Sequence, residues 1–87
     1  LYKYDAMESL LSIFREMKDL DSAIEIVSED LSENPFNLKS RLHLVELLIE
    51  KSEYQKALDE IKKAEILSIK NEKVLEAKYR IYKKMSQ

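Results

Sequence analysis

The segment Leu20–Asn37, LDSAIEIVSEDLSENPFN, returns in softened form as Tyr54–Asn71, YQKALDEIKKAEILSIKN. Small, aliphatic and polar residues keep their places across this shift: Ala23 falls on Ala57, Ile24 on Leu58, Val27 on Ile61 and Asn37 on Asn71. A repeat of this length is typical of a helix pair that buries its apolar face only by stacking on a neighbouring pair. The sequence therefore predicts a helical repeat protein.

The composition excludes several classes of function. With 15 Lys and Arg against 17 Asp and Glu, the net charge of −2 gives no general attraction to nucleic acid or to an anionic membrane. The absence of cysteine excludes disulfides and thiolate metal sites, and the absence of glycine excludes a phosphate-cradling loop. No apolar run approaches the roughly 18 residues that would span a bilayer. We therefore expect one soluble domain over residues 1–87, without metal or cofactor and located in the cytoplasm, and its start at Leu1 suggests a piece of a longer protein.

Apolar residues follow the period of an amphipathic helix in five successive segments. Helices are expected from Tyr4 to Met17, from about Leu20 to Glu33, from Asn37 to about Lys51, from Ser52 to Leu67 and from Asn71 to Met85, the last three counted from their capping residue. The loops are so short that neighbouring helices must be antiparallel. The expected fold class is all-α, with five helices and no strands.

Polar residues stand where four of these helices would begin. Asp19 or Asp21 can accept the free amide hydrogens of the second helix. Asn37, Ser52 and Asn71 can do the same for the third, fourth and fifth helices. The second helix should end at Asn34, because a residue before proline is disfavoured in the helical conformation.

The pattern resembles the tetratricopeptide repeat, a helix pair of about 34 residues that commonly serves as a protein-binding scaffold, over nearly the whole chain. The pattern positions of the family fall on Met7, Leu10, Leu11, Phe14, Leu20, Ala23 and Pro35 in the first unit, and on Arg41, Leu44, Val45, Leu48, Tyr54, Ala57 and Ile69 in the second. The last helix supplies Leu75, Lys78, Tyr79 and Tyr82. The resemblance implies antiparallel helix hairpins stacked in a right-handed α-solenoid. Residues 1–36 would be repeat 1, residues 37–70 repeat 2, and residues 71–87 a half repeat or capping helix.

Some residues depart from the family pattern in size or polarity: Leu11, Val45 and Tyr79 at a small position, Arg41 at a large apolar position, and Ile69 at the proline position. The glycine of the family's loop is also absent. Ala23 and Ala57 keep the small residue where the two helices of a pair cross, since a larger side chain there would overpack at a cost of about 1–3 kcal/mol. The departures bear on the crossing angles and leave the period unchanged.

The resemblance also implies a concave groove, lined by the first helix of each pair, that binds a peptide or helix of another protein. Transferring the family's groove positions gives Asp5, Glu8, Ser9, Ser12, Arg15 and Glu16, then Lys39, Leu42, His43, Glu46, Ile49 and Glu50, then Lys73, Glu76, Ala77, Arg80, Lys83 and Lys84. The expected partner-binding residues among them are Arg15, Lys39, Leu42, His43, Glu46, Ile49, Lys73 and Arg80. Leu42 and Ile49 could anchor an apolar group of the partner, or could pack against neighbouring helices instead.

Some family members hold the C-terminal carboxylate of chaperones with a set of lysine, asparagine and arginine residues. Here Glu8, Ser12, His43 and Ala77 occupy four of those five positions, and only Lys73 matches. We therefore expect no chaperone-tail clamp.

No constellation of residues indicates catalysis. The pairs Glu46 with Glu50 and Asp21 with Glu25 lie one helical turn apart, as acid–base dyads can. On a highly charged helix, however, such pairs usually form a solvated face, because nothing desolvates them. His43 is the only histidine, and a lone histidine more often packs on a helix flank than binds a ligand. The sequence predicts a non-catalytic scaffold.

The last helix presents an apolar edge without a partner in the sequence. By the repeat register, Val74, Ile81 and Met85 should pack on the preceding pair, whereas Leu75, Tyr79 and Tyr82 point to where a sixth helix would lie. The helix could be a cap with solvated tyrosines, the cut end of a longer array, or an edge that joins another copy. The last of these makes homo-oligomerisation the alternative function.

Cations also gather on the last helix, at Lys78, Arg80, Lys83 and Lys84. They could contact RNA phosphates. Cations near the negative end of a helix dipole are explained more simply as helix stabilisers. We do not expect nucleic-acid binding.

Overall fold

A computed structural model describes residues 4–68 and 70–87, with side chains from Met7 onward. Over these residues the chain forms five α-helices and no strand: α1 (Tyr4–Glu16), α2 (Leu20–Glu33), α3 (Leu38–Glu50), α4 (Tyr54–Leu67) and α5 (Glu72–Met85). The all-α prediction is confirmed, and each helix ends within one residue of the expected position. The side chain of Asp5 and the whole of Ile69 lie outside the described part.

Each helix packs on the next one along the chain, and α3 also contacts α5. Because α3 touches three other helices, it is buried on most of its circumference. Its buried residues are Ser40, Arg41, Leu44, Val45, Leu47, Leu48 and Ile49. The apolar character of α3, wider than one stripe, is explained by this central position.

The core is one cluster that runs from α1 to α5. Its largest fully buried side chains are Leu47, Ile61, Ile81, Val27, Val45 and Val74. Ala23 and Ala57 are also completely buried, as expected of small residues between closely packed helices. Val74 and Ile81 therefore pack as predicted.

Met85 does not pack as expected, since 48% of its surface is exposed. It lies in the last turn of α5, beside the start of α4. The residues around it there are mostly polar, and they include Ser52, Glu53 and Lys56. The repeat register gave the correct side of α5 but could not show that this side runs out of apolar neighbours at its end.

The turns after α1 and α3 have the same backbone and stand at equivalent positions of the repeat. Lys18 and Ser52 adopt left-handed φ angles of 59° and 64°. In each turn the next residue donates its amide back to the third-last residue of the helix: Asp19 to the Phe14 carbonyl at 2.8 Å, and Glu53 to the Leu48 carbonyl at 2.9 Å. Both are Schellman motifs, in which glycine is the usual left-handed residue. The repeat is thus present in the backbone even where glycine is missing.

The predicted cap of α4 is wrong. The N-cap residue is Glu53, whose side chain accepts no capping hydrogen bond, and Ser52 belongs to the turn that closes α3. The prediction failed because the left-handed residue that closes α3 follows its C-cap Lys51 and takes the place of Ser52, so that the cap position of α4 falls on Glu53. At the first turn Asp19 rather than Asp21 is the cap, and it accepts the amide hydrogen of Ser22 at 3.2 Å.

Asn37 and Asn71 cap α3 and α5 as predicted. Asn37 accepts from the amide of Ser40, and Asn71 accepts from the amides of Lys73 and Val74. Each side chain supplies a partner for a helix amide that would otherwise have none, which stabilises the helix by about 1 kcal/mol. The two helices that line the groove described below thus begin in the same way.

Arg41 is a buried charge inside this otherwise apolar packing. Its Nη1 donates to Glu60 of α4 at 2.5 Å, and its Nη2 donates to the Pro35 carbonyl at 2.9 Å. Its buried Nε has no hydrogen-bond partner among the described residues. Arginine can therefore occupy this large apolar position because Glu60 and a loop carbonyl compensate most of its polar atoms.

Candidate functional site

A groove of about 340 Å³ runs between α3 and α5. Four residues from each helix line it: Lys39, Leu42, His43 and Glu46 from α3, and Lys73, Glu76, Ala77 and Arg80 from α5. Six of the eight expected partner-binding residues therefore lie together. The other two, Arg15 and Ile49, lie elsewhere.

The repeat explains why these side chains meet. The starts of α3 and α5 lie at the same end of the groove, where Leu38, Lys39, Asn71 and Lys73 surround a common depression. Residues one repeat apart on the two helices consequently stand beside each other. Lys39 is paired in register with Lys73, and Glu46 with Arg80. Residues that are one repeat apart in the sequence are therefore neighbours across the groove.

Glu46 and Arg80 close one part of the groove with an ion pair. Nη1 of Arg80 donates to both carboxylate oxygens of Glu46, at 2.7 and 2.9 Å. The hydrogen bond from Arg80 to Glu46 raises the pKa of the guanidinium above its ordinary value. Both side chains are partly exposed, so the pair contributes only about 0–1 kcal/mol to stability. Its main effect is to fix two charged groups in the groove wall.

Two further charged pairs connect α1 with α3. His43 Nε2 lies 2.6 Å from a carboxylate oxygen of Glu8, and Arg15 is paired with Glu50. Arg15 therefore lies at the boundary between α1 and α3, outside the groove between α3 and α5. His43 lines that groove and at the same time contacts α1. The first helices of successive pairs are linked by charges on this side of the molecule.

The two apolar candidates differ in their surroundings. Leu42 is half-buried, packs against the core and contributes to the groove lining, together with the buried Ala77. Ile49 is only 6% exposed and belongs to the core. Ile49 therefore packs against neighbouring helices, the alternative to a partner-binding role, because so little of its surface remains for a partner. Leu42 remains the apolar candidate in the groove.

One end of the groove is cationic. Three lysines, Lys39, Lys70 and Lys73, and one carboxylate, Glu72, surround the depression where α3 and α5 begin. The amide ends of two helices add partial positive charge at the same place. Farther along, Glu46 and Glu76 bring negative charge to the wall. The groove is thus graded in charge along its length, with Leu42 and Ala77 in its lining.

Outside the groove, several surface charges pair between helices. Asp21 of α2 hydrogen-bonds Lys51 at 2.5 Å and raises the pKa of that lysine. Glu65 of α4 raises the pKa of Lys78 of α5 in the same way, at 3.0 Å. The basic cluster of the last helix is therefore partly neutralised, since Lys78 and Arg80 both have carboxylate partners.

The edge residues of α5 are exposed as the repeat register predicts. The exposed fractions are 50% for Leu75, 73% for Tyr79 and 51% for Tyr82. They lie on the side of α5 away from Val74 and Ile81, which are completely buried. An apolar strip therefore remains open along the helix.

Two kinds of site are absent from the described part of the chain. No group of three or more His, Asp or Glu residues there could hold a metal ion. None of the helices in residues 4–68 and 70–87 combines the length and the apolar character needed to cross a bilayer.

The sequence predicted which charged residues lie on the groove side but did not predict the ion pairs that they form with one another. Glu8, Glu46, Glu50 and Arg80 were all expected on the groove side, but as members of a binding surface. The opposite charges of Glu46 and Arg80 at a separation of one repeat are a signal that could have predicted their contact. Arg41 carried no comparable signal, because its partner Glu60 lies on another helix at an unrelated repeat position.

Comparison with known proteins assigns no family to the chain. No protein-family model matches it, and no curated protein matches it significantly. The functional interpretation therefore rests on the repeat, the helix packing and the groove.

Proposed function

We propose that this chain is a tetratricopeptide-like scaffold, without catalytic activity, that binds a segment of another protein in the groove between α3 and α5. Three features support the family interpretation: the return of Leu20–Asn37 as Tyr54–Asn71, the packing of each helix on the next one along the chain, and the two matching turns at Lys18 and Ser52. In this proposal residues 1–36, 37–70 and 71–87 are two repeats and a half repeat of a right-handed solenoid.

The observation that carries the proposal is the lining of the groove. A concave site with an apolar surface and a few fixed polar groups is the usual form of a binding site. Here Leu42 and Ala77 supply the apolar surface, and the pair of Glu46 and Arg80 supplies fixed polar groups. Its size of about 340 Å³ suits a few side chains of a peptide or helix rather than a whole domain.

The charge gradient suggests how such a segment would lie. Lys39, Lys70 and Lys73 favour an acidic side chain of the partner at the start of α3 and α5. An apolar side chain a short distance away would contact Leu42. The partner proposed is therefore a short segment that combines acidic and apolar residues.

The carboxylate pairs support a structural role instead of a catalytic one. Glu46 and Glu50, one turn apart on α3, are each engaged by an arginine, Arg80 and Arg15 respectively. Asp21 is likewise engaged by Lys51.

A random peptide library selected on the immobilised chain would test the proposal. We expect the enriched peptides to share acidic and apolar residues. We expect their affinity to fall about tenfold or more with Lys73→Glu, which places a negative charge at the cationic end of the groove. Lys62→Glu, on the exposed side of α4, makes the same charge change outside the groove and should leave the affinity within about twofold.

Leu42→Glu is the second groove variant. It should also weaken the enriched peptides, and circular dichroism should show whether the helix content is unchanged. Lys73→Glu keeps the test decisive if Leu42→Glu fails to fold, because Lys73 is exposed. Binding that is equally strong with Lys73→Glu and with Lys62→Glu would refute the groove as the binding site.

A further inference from the structure

The exposed strip of α5 corresponds, by repeat position, to a buried strip of α3. Leu75, Tyr79 and Tyr82 are the repeat equivalents of Arg41, Val45 and Leu48, all of which are buried. Tyr79 is 73% exposed, whereas Val45 is completely buried. On α3 these residues are buried on a helix that packs against α4. By repeat position, a further helix would pack against the same surface of α5.

The spacing along this face fits packing against another helix. Glu72, Leu75, Tyr79, Tyr82 and Ser86 recur at intervals of three and four residues, as in the seam of a coiled coil. Glu76 and Lys83 follow Leu75 and Tyr82 directly, so both flank the seam on one side. That side is the groove side, because Glu76 also lines the groove. The flank carries one negative charge before Tyr79 and one positive charge after it.

We propose that a second copy of this chain covers the strip, with the two α5 helices antiparallel and a twofold axis passing beside Tyr79. The axis places Tyr79 against Tyr79 of the partner subunit, and Leu75 against Tyr82 of the partner subunit. It also brings Glu76 to Lys83 of the partner subunit, because these residues lie three before and four after Tyr79. Each of the last two contacts occurs twice, as symmetry requires.

Charge complementarity selects this occupant and this orientation. On the groove side of the seam the strip meets its own reversed copy with opposite charges facing each other, and the two helix dipoles are antiparallel. On the other side the charge of Lys78, next to Tyr79, is already paired with Glu65 of its own chain. In a parallel pair the residues on this side of one seam would face those on the other side of the partner's seam, so Lys83 would meet Lys78 of the partner subunit, which is repulsive. The surface is therefore complementary to itself only when it is turned through a half rotation.

The length of α5 limits the surface area that the dimer can bury, and therefore its stability. A helix of 14 residues is about 21 Å long. Two such helices packed along one seam bury less than the roughly 1,600 Å² of a standard stable interface. The dimer is therefore a weak one that forms only at high protein concentration.

The dimer also orders the grooves. The groove side of α5 lies to one side of the seam. With the twofold axis beside Tyr79, the groove sides of the two α5 helices face the same way. Both grooves then open on the same face of the dimer, on either side of the paired helices. This statement rests on the groove proposed above, whereas the pairing of α5 rests on the strip alone.

Sedimentation equilibrium from about 1 μM to about 1 mM, a range that brackets the affinity of a small interface, tests the pairing. We expect the mass to rise from monomer to dimer across this range. Tyr79→Lys should keep the chain monomeric throughout, with an unchanged helix signal because Tyr79 is mostly exposed. Glu25→Lys, an exposed charge change on α2, should dimerise like the unaltered protein.

Charge reversal tests the antiparallel orientation. Glu76→Lys and Lys83→Glu should each weaken association about tenfold, since each creates two repulsive contacts. The double variant should recover the affinity to within about threefold, because the pair is restored with its signs exchanged. Peptide affinity in the groove is a separate readout from mass, so failure of one proposal leaves the other measurable.

Three results would overturn the inference. A monomer at every concentration excludes the dimer. A dimer that persists in Tyr79→Lys belongs to another surface. A double variant that associates no better than its two single variants excludes the contact of Glu76 with Lys83 of the partner subunit, and with it the antiparallel arrangement.

Discussion

Helices α3 and α5 occupy equivalent places in the repeat but differ in burial. Each starts after an asparagine cap, and the two caps, Asn37 and Asn71, are equivalent in the repeat. Seven of the 13 residues of α3 are buried, whereas only three of the 14 residues of α5 are. The difference comes from the neighbours: in the described part of the chain α3 packs on α2, α4 and α5 and is linked to α1 by charged side chains, while α5 packs on α3 and α4. In a repeat protein, the contribution of a residue to the free energy of unfolding depends on its position along the stack as much as on its type.

The largest effect should come from placing the same charge at the same repeat position of the two helices. Val45→Lys puts an ammonium group where the side chain is completely buried, and we expect loss of the cooperative fold, a cost of more than about 4 kcal/mol. Tyr79→Lys should change the free energy of unfolding by no more than about 0.5 kcal/mol, measured on the monomer at low concentration. Urea unfolding followed by circular dichroism gives both values. Similar losses would mean that α5 is covered in the monomer as well.

The second effect concerns the buried pair of Arg41 and Glu60, which α5 lacks because it has Leu75 at the equivalent place. Glu60→Ala leaves the Arg41 guanidinium without its carboxylate, and we expect a loss of about 3 kcal/mol. The double variant Arg41→Met and Glu60→Met should fall within about 1 kcal/mol of the unaltered protein, since no charge remains buried.

Double-mutant analysis by urea unfolding checks this second prediction, with Lys63→Ala as the control for the additional surface pair of Glu60. A double variant that is as unstable as Glu60→Ala alone would show that α3 depends on the charge itself. In that case the difference between Arg41 and Leu75 would be essential to the central helix.

The smallest effect compares the ends of the two helices. Ser52, after α3, has a left-handed φ of 64°, whereas Ser86, after α5, has a right-handed φ of −79°. Ser52→Gly should raise the free energy of unfolding by about 1 kcal/mol, because glycine adopts the left-handed conformation without strain. Ser86→Gly, the same replacement at an ordinary φ, should give no gain. Thermal melts of the two variants measure the difference, and equal shifts would contradict a conformational origin.

The helices themselves could be predicted from the sequence because each carries a clear apolar period and a cap or proline at its ends. Asn37 and Asn71 were predictable as caps, since each directly precedes a helical period. Ser52 was not, because a serine before a helical run looks like a cap, and only the backbone shows that it closes the preceding helix.

The candidate site was predictable to the extent that the repeat fixes neighbours. Lys39, Leu42, Lys73 and Arg80 were placed in one groove by transferring the groove positions of the tetratricopeptide repeat, and they line one groove in the structure. The burial of Ile49 was not predictable, because a helix as apolar as α3 does not reveal which of its sides faces solvent. The contacts of Arg15 with Glu50 and of His43 with Glu8 depend on how α1 lies against α3, which local sequence does not determine.

The charged pairs that link the first helices of successive pairs hold the groove side together in a different way from the interior. The groove side is tied by Glu8 with His43, Arg15 with Glu50, and Glu46 with Arg80, whereas the interior is held by apolar contacts. Dissolved salt screens exposed charges and strengthens apolar burial only slightly. Ionic strength therefore weakens the pairs on the groove side, as it weakens the exposed pairs of Asp21 with Lys51 and of Glu65 with Lys78. The distance between the groove walls should consequently depend on the salt concentration as well as on the chain.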